Sequence, residues 1–133
     1  MKKRRVGLIV FLVVLVIIIA GGIFGWIMLK KEHKEAMSVN VENIEFKNLE
    51  DGTYEGYYVG GMYGWRENKV EVVIKDAEVV EIKLLTVEAS MQVEVINELY
   101  DRVIDKQSLN VDVVSGSTLT SKAYLKGIED ALN

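Results

Sequence analysis

A chain of 133 residues with 16 basic and 20 acidic side chains is mildly acidic overall, and it contains no cysteine. The missing thiols exclude disulfides, lipoprotein acylation, thiolate metal sites, iron–sulfur clusters and covalently bound haem. All twenty acidic residues and twelve of the sixteen basic ones follow Leu29, a net charge of −8 for that part, which argues against nucleic acid as a partner.

The chain opens with a basic tail, residues 1–5, that includes Lys2, Lys3, Arg4 and Arg5. Residues 6–29 follow without a charged side chain. As a helix they would reach about 36 Å, enough for a hydrocarbon core of roughly 30 Å. A cleaved signal peptide is the competing reading, since Ala20-Gly21-Gly22 supplies small residues after a basic start. The apolar run continues through Ile23-Phe24-Gly25-Trp26-Ile27-Met28-Leu29, beyond a signal core, so an uncleaved single-pass anchor is expected. The basic tail sets the orientation: N-terminus in the cytoplasm, the rest outside the cytoplasmic membrane.

Residues 30–50 are charged and aperiodic, and are expected to form a linker. The single histidine, His33, lies there and cannot build a metal site, so no metal is expected. Folded structure is expected from the turn dipeptide Asp51-Gly52, with a domain over residues 51–133. Thr53-Tyr54-Glu55-Gly56-Tyr57-Tyr58-Val59 reads as a strand, and Gly60, Gly61 and Gly64 mark a flexible loop after it. Val70, Val72 and Ile74 alternate on one face, as do Val80, Ile82 and Leu84 after a tight connection at Asp76-Ala77, which predicts an antiparallel hairpin.

Ser90 is placed to cap a helix running to about Lys106, with Val93, Ile96, Tyr100 and Val103 on one face, widened by Leu99 and Ile104. Residues 111–114 read as a short further strand. Tyr124, Ile128, Ala131 and Leu132 mark the inward stripe of a last helix starting near Thr120 or Ser121. The order β-β-β-α-β-α defines an α+β domain: one small antiparallel-type sheet with two helices packed on it.

Between residues 111–114 and the last helix stands Ser115-Gly116-Ser117-Thr118-Leu119-Thr120-Ser121, five hydroxyls around one glycine. Unpaired N–H groups and the positive dipole end make a glycine turn at a helix start a seat for an anion such as phosphate. Ordinary helix capping, about 1 kcal/mol per cap, is the alternative that the residues alone leave open. The spacing is not that of a nucleotide P-loop, and the domain offers no histidine or cysteine for a nucleophilic hydrolase site.

Asp112-Val113-Val114-Ser115-Gly116-Ser117-Thr118, followed by Leu119-Thr120-Ser121, resembles the attachment motif of the FMN-binding domain family. That family includes the exported domains of the C subunit of the sodium-pumping quinone reductase and of the G subunit of the Rnf complex. The likeness extends from Asp51-Gly52-Thr53-Tyr54-Glu55-Gly56 to the closing Gly127-Ile128-Glu129-Asp130-Ala131-Leu132. In the family, the threonine ending the Ser-Gly-Ala-Thr stretch carries FMN through a phosphoester made by a flavin transferase; here it is Thr118. Two departures stand out: Ser117 replaces the usual alanine, and the chain passes from Thr86-Val87-Glu88-Ala89 directly into Ser90 where family members often have a glycine- and proline-containing loop.

The resemblance implies that Thr118 is the ester oxygen and that Ser115, Gly116, Ser117 and Thr120 shape the phosphate turn. It also implies that Asp112 positions the turn or is read by the transferase. Tyr63 and Trp65, aromatics in the glycine-rich loop, are the candidates for ring contact, with ordinary hairpin packing as the alternative. The implied protein is a membrane-anchored extracytoplasmic flavoprotein, an electron carrier rather than a stand-alone catalyst. Its partners would be a flavin transferase, a membrane electron donor and an extracytoplasmic acceptor. The alternative is a module that binds flavin or another phosphate ligand reversibly, or a structural module without a redox role.

Overall fold

The computed structural model describes residues 2–86 and 92–133. The chain divides into two units, residues 1–34 and 35–133. The first is dominated by α1 (Lys2–Ser38), a helix long and apolar enough to cross a membrane. Val6, Phe11, Ile18 and Trp26 are all exposed on it. A helix apolar on every face has no single side to press on a protein core, which fits a lipid surround.

The second unit is α+β. β1 (Gly52–Tyr58), β2 (Asn68–Lys75) and β3 (Glu78–Leu84) form an antiparallel sheet in the order β1-β2-β3. On β2 the period of two is clean, with Val70, Val72 and Ile74 almost wholly buried. Asp76 and Ala77 both take positive φ, 55° and 61°, at the two-residue turn between β2 and β3. This left-handed pair matches the twist of a tight hairpin, although Ala77 adopts it against its own preference.

The expected face of β3 is corrected at its start. Val73 pairs with Glu81 but Ile74 pairs with Val79, so Val80 is an extra residue in the ladder. The bulge turns Val79 into the core and leaves Val80 exposed, while Ile82 and Leu84 stay half-buried as expected.

α2 (Val93–Lys106) and α3 (Thr118–Leu132) pack on the sheet. Ile96, Leu99, Tyr100 and Val103 of α2 are buried, whereas Val93, expected on the same face, is exposed in the first turn. Ser90, expected to cap this helix, lies outside the described residues. At the other end Gln107 takes a left-handed backbone, φ 50°, and its side-chain amide pairs with both the N–H and the carbonyl of Val79 at 2.8 Å. A glutamine side chain thus serves β3 as a neighbouring strand would.

α3 sits unusually close to the sheet. A Cβ at Gly56 would lie 2.0 Å from the carbonyl oxygen of Gly127, and a Cβ at Gly127 would lie 2.2 Å from Asn68 Oδ1. Two glycines are therefore required by approach. Tyr57 N–H donates to Asp130 and fixes the register of β1 on the helix.

Residues 111–114 occupy the fourth β position in chain order but join no ladder among the described residues. Their backbone groups are satisfied elsewhere. Val111 N–H bonds the carbonyl of Leu109, Val114 N–H bonds Ser121 Oγ, and the carbonyls of Asp112 and Val113 accept from Arg102.

The segment before β1 also contributes more than a linker would. Phe46, in the short 3-10 turn Phe46–Asn48, is buried, and Val41, Ile44 and Leu49 pack against the same core. The backbone of residues 37–42 is strapped to α3: Lys122 donates to the carbonyl of Met37, Lys126 to that of Asn40, and Glu42 N–H donates to the buried Glu129. Apolar residues one or two apart among charges gave no readable period, so this packing was hidden in the sequence.

Candidate functional site

The carbonyl of Val114 accepts Ser117 N–H at 2.9 Å, closing a turn over Ser115 and Gly116. Gly116 has φ +77°, and among the described residues nothing lies within 4 Å of where a Cβ would stand. Glycine is required there by backbone conformation.

Ser117 is the N-cap of α3, its carbonyl accepting Ser121 N–H at 2.8 Å. The helix therefore starts at Thr118, two or three residues earlier than the expected start. That shift matters for chemistry. Thr118 becomes the first helical residue, so its N–H and those of Leu119 and Thr120 have no carbonyl one turn back to bond.

The Ser117 side chain makes no capping bond: its hydroxyl donates instead to Gln92 Oε1 at 3.2 Å. Ser121, one of the two expected caps, is fully buried and accepts from Val114 N–H. It ties the incoming segment to the helix and leaves the first-turn N–H groups to another acceptor.

Ser115, Gly116 and Asp112 are exposed, and Ser117, Thr118 and Thr120 are half-buried around the same turn. Six of the expected residues are thus brought together. Asp112 contributes through its backbone, because its carbonyl accepts from Arg102 at 2.8 Å, and so does that of Val113 at 3.2 Å. The other arm of this guanidinium pairs with Glu98. Arg102 was not singled out in the sequence, where it reads as half of an ordinary i,i+4 surface pair. Its role follows from the reversal at Gln107 that brings residues 112–113 back beside α2.

Tyr63 and Trp65 pack on each other with ring centroids 5.1 Å apart in the loop between β1 and β2. Gly60, Gly61 and Gly64 all have positive φ in this loop. Its base is held twice. Tyr57 donates its phenol to Glu67 at 2.6 Å, an acceptor that raises the phenol's pKa. Asn68, fully buried, donates its amide to the carbonyls of Arg66 and of Ala123 in α3. Asn68 is thus the joint between the aromatic loop and the N-terminal half of α3.

A cleft of about 500 Å³ opens elsewhere in the unit, lined by Phe46, Asp76, Glu78, Gln107 and their neighbours. None of the motif residues lines it, and its walls are hairpin turn and helix end rather than a set of convergent donors.

At one helix start this small α+β domain presents first-turn backbone N–H groups, four hydroxyls and a glycine turn, the kind of donor set that suits a phosphate. The FMN-binding domain family matches residues 64–133, and the chain belongs to it. Its cofactor is FMN. No curated protein matches the chain as a relative. The donor set fits the phosphate end of FMN, whose charge suits the N-terminal pole of α3, and no described residue fills the space beside Gly116. The matched residues contain the whole 112–121 motif and Trp65, while Tyr63 falls one residue before them.

Proposed function

We propose that this protein is a membrane-anchored electron carrier that holds FMN covalently, through a phosphoester on Thr118. The observation that carries the reading is the placement of Thr118 as first residue of α3, directly after a left-handed glycine turn. From there its hydroxyl and the free N–H groups can share one phosphoryl group.

In this reading Ser115, Gly116, Ser117 and Thr120 hold the phosphate end, and Arg102 fixes the segment that presents it. Asp112, exposed at the start of the motif, is available to a flavin transferase. Tyr63 and Trp65 supply the aromatic edge for the ring. FMN, when bound, supplies the redox chemistry, and the protein supplies placement. A covalent link also suits a site outside the cytoplasm. A reversibly bound cofactor is lost once free ligand falls far below its Kd.

Residues 6–29 act as a single-pass anchor, with the basic tail in the cytoplasm and the FMN-binding domain outside. The domain then relays electrons between a membrane donor and an extracytoplasmic acceptor. The test is retention of flavin on denaturation. Protein co-expressed with an active flavin transferase should fluoresce as a band on a denaturing gel. A native protein that is yellow but loses all flavin in denaturant would instead establish reversible binding, and a colourless one a structural module.

A further inference from the structure

Thr118, Lys122, Lys126 and Glu129 recur at helical spacing along one face of α3. Within the second unit the segment before β1 follows that face: Met37 is tied to Lys122, Asn40 to Lys126 and Glu42 to Glu129. The first of these ties lies one helical turn from Thr118.

The cations near the motif are not alike. Lys126 pairs with Glu129 at 2.7 Å, and the Arg102 guanidinium is divided between Glu98 and the carbonyls of Asp112 and Val113. Lys122 has no acidic partner among the described residues, and its ammonium donates to the Met37 carbonyl at 2.8 Å. An ammonium has three N–H donors, so two are left over.

A helical side chain leans toward the N-terminus of its helix and covers the turn before its own Cα. For Lys122 that turn begins at Thr118, and Cβ atoms at this spacing lie about 5–6 Å apart. The motif supplies no positive charge itself, since the sole charged side chain in residues 112–121 is the acid Asp112. Backbone N–H groups and hydroxyls bond a phosphate, but they and the helix pole offset its charge only in part.

We propose that Lys122 is the counter-charge of the FMN phosphate, a binding residue set in place by the Met37 carbonyl. The two N–H groups that Met37 leaves over are the donors it brings, in charge-assisted bonds stronger than those of a hydroxyl. The proposal rests on the phosphate lying at the start of α3, and not on the covalent link to Thr118. It gives the segment before β1 a part in cofactor binding, because the tie that packs Met37 on α3 also places the ammonium.

The test is a thermodynamic cycle on the full chain in a nonionic detergent: unfolding midpoints of wild type, Lys122→Met and Lys122→Arg, each with and without FMN. One series carries FMN attached by the transferase, and the other uses free FMN in excess. Loss of the tie to Met37 lowers the loaded and empty forms alike, so it cancels in the difference. The rise in midpoint caused by FMN should be smaller by about 4 °C in Lys122→Met than in wild type, and largely restored in Lys122→Arg. That gap should close at about 1 M salt, where the screening length falls to roughly 3 Å. Equal FMN shifts in wild type and Lys122→Met, including none in either, overturn the proposal. A gap that persists in high salt, or that arginine does not restore, overturns it as well. Riboflavin, which lacks the phosphate, should shift wild type and Lys122→Met alike, and a gap with riboflavin would assign Lys122 to the ring end instead. The mass of the transferase-treated wild type reports separately on the covalent link. An unmodified wild type removes that link, and the free-FMN series then decides for Lys122.

Discussion

The two halves of α3 are built to opposite ends. From Ala123 to Leu132 the helix is pressed on the sheet through Gly56, Gly127 and Asn68, with Ile128 fully buried and Glu129 holding the strap before β1. From Ser117 to Thr120 it is half-buried, has no capping bond from the Ser117 side chain, and is preceded by a glycine with nothing beside it among the described residues. One helix thus joins a rigid seat to an open end. The contrast teaches how a small domain can hold a hydroxyl in place without burying it fully.

The largest effect is expected at the seat. Gly56→Ala drives a methyl group into the Gly127 carbonyl, and neither backbone can yield, so a loss of about 3 kcal/mol or more is expected in denaturant unfolding. A near-normal midpoint would show that α3 is not held that closely. Asn68→Ala removes the buried amide that donates to the carbonyls of Arg66 and Ala123, a cost of about 2 kcal/mol. It should also open the aromatic loop to limited proteolysis before the rest of the domain is cut.

Much of the seat was readable beforehand. Alternation on β2 and the stripe of α2 come from residues spaced at periods of two and 3.6, and both survive in the fold. What the pattern could not show was the bulge at Val80, because one added residue leaves the local alternation intact. Nor could it show the core role of Phe46 or the strand-like use of the Gln107 side chain, since both depend on partners distant in sequence. The open end was legible in composition, as hydroxyls around Gly116, but its geometry was not. The start at Thr118 rather than Thr120 or Ser121 goes with Ser121 turning inward to Val114, which no local propensity encodes.

A third test separates the buried core from its own imperfection. The Tyr100 hydroxyl is buried without a partner among the described residues, and burial pushes its pKa well above the ordinary 10.0. A raised folded pKa means that this contribution to stability is complete below pH 10 and is lost above it, as the unfolded chain ionises and the folded one does not. Tyr100→Phe should stabilise the domain by about 1 kcal/mol at neutral pH and flatten the alkaline decline above pH 10. A steeper decline in the variant would contradict this account of the core.

At the open end, substitutions should cost little stability. Ser117→Ala removes the bond to Gln92 and restores the alanine usual in the family. Its unfolding midpoint should correspond to a change within about 0.5 kcal/mol, with flavin uptake retained. A large destabilisation would mean that this end is part of the seat after all.

The central claim is that the open end exists to carry a phosphoester on Thr118. Intact-protein mass measurement tests it most directly, on wild type and Thr118→Ala after co-expression with a flavin transferase proven on another substrate. The account predicts a wild-type mass higher by one FMN less one water, and an unmodified variant that unfolds like the wild-type apoprotein. An unmodified wild type, or a variant that still gains the full mass, would contradict it.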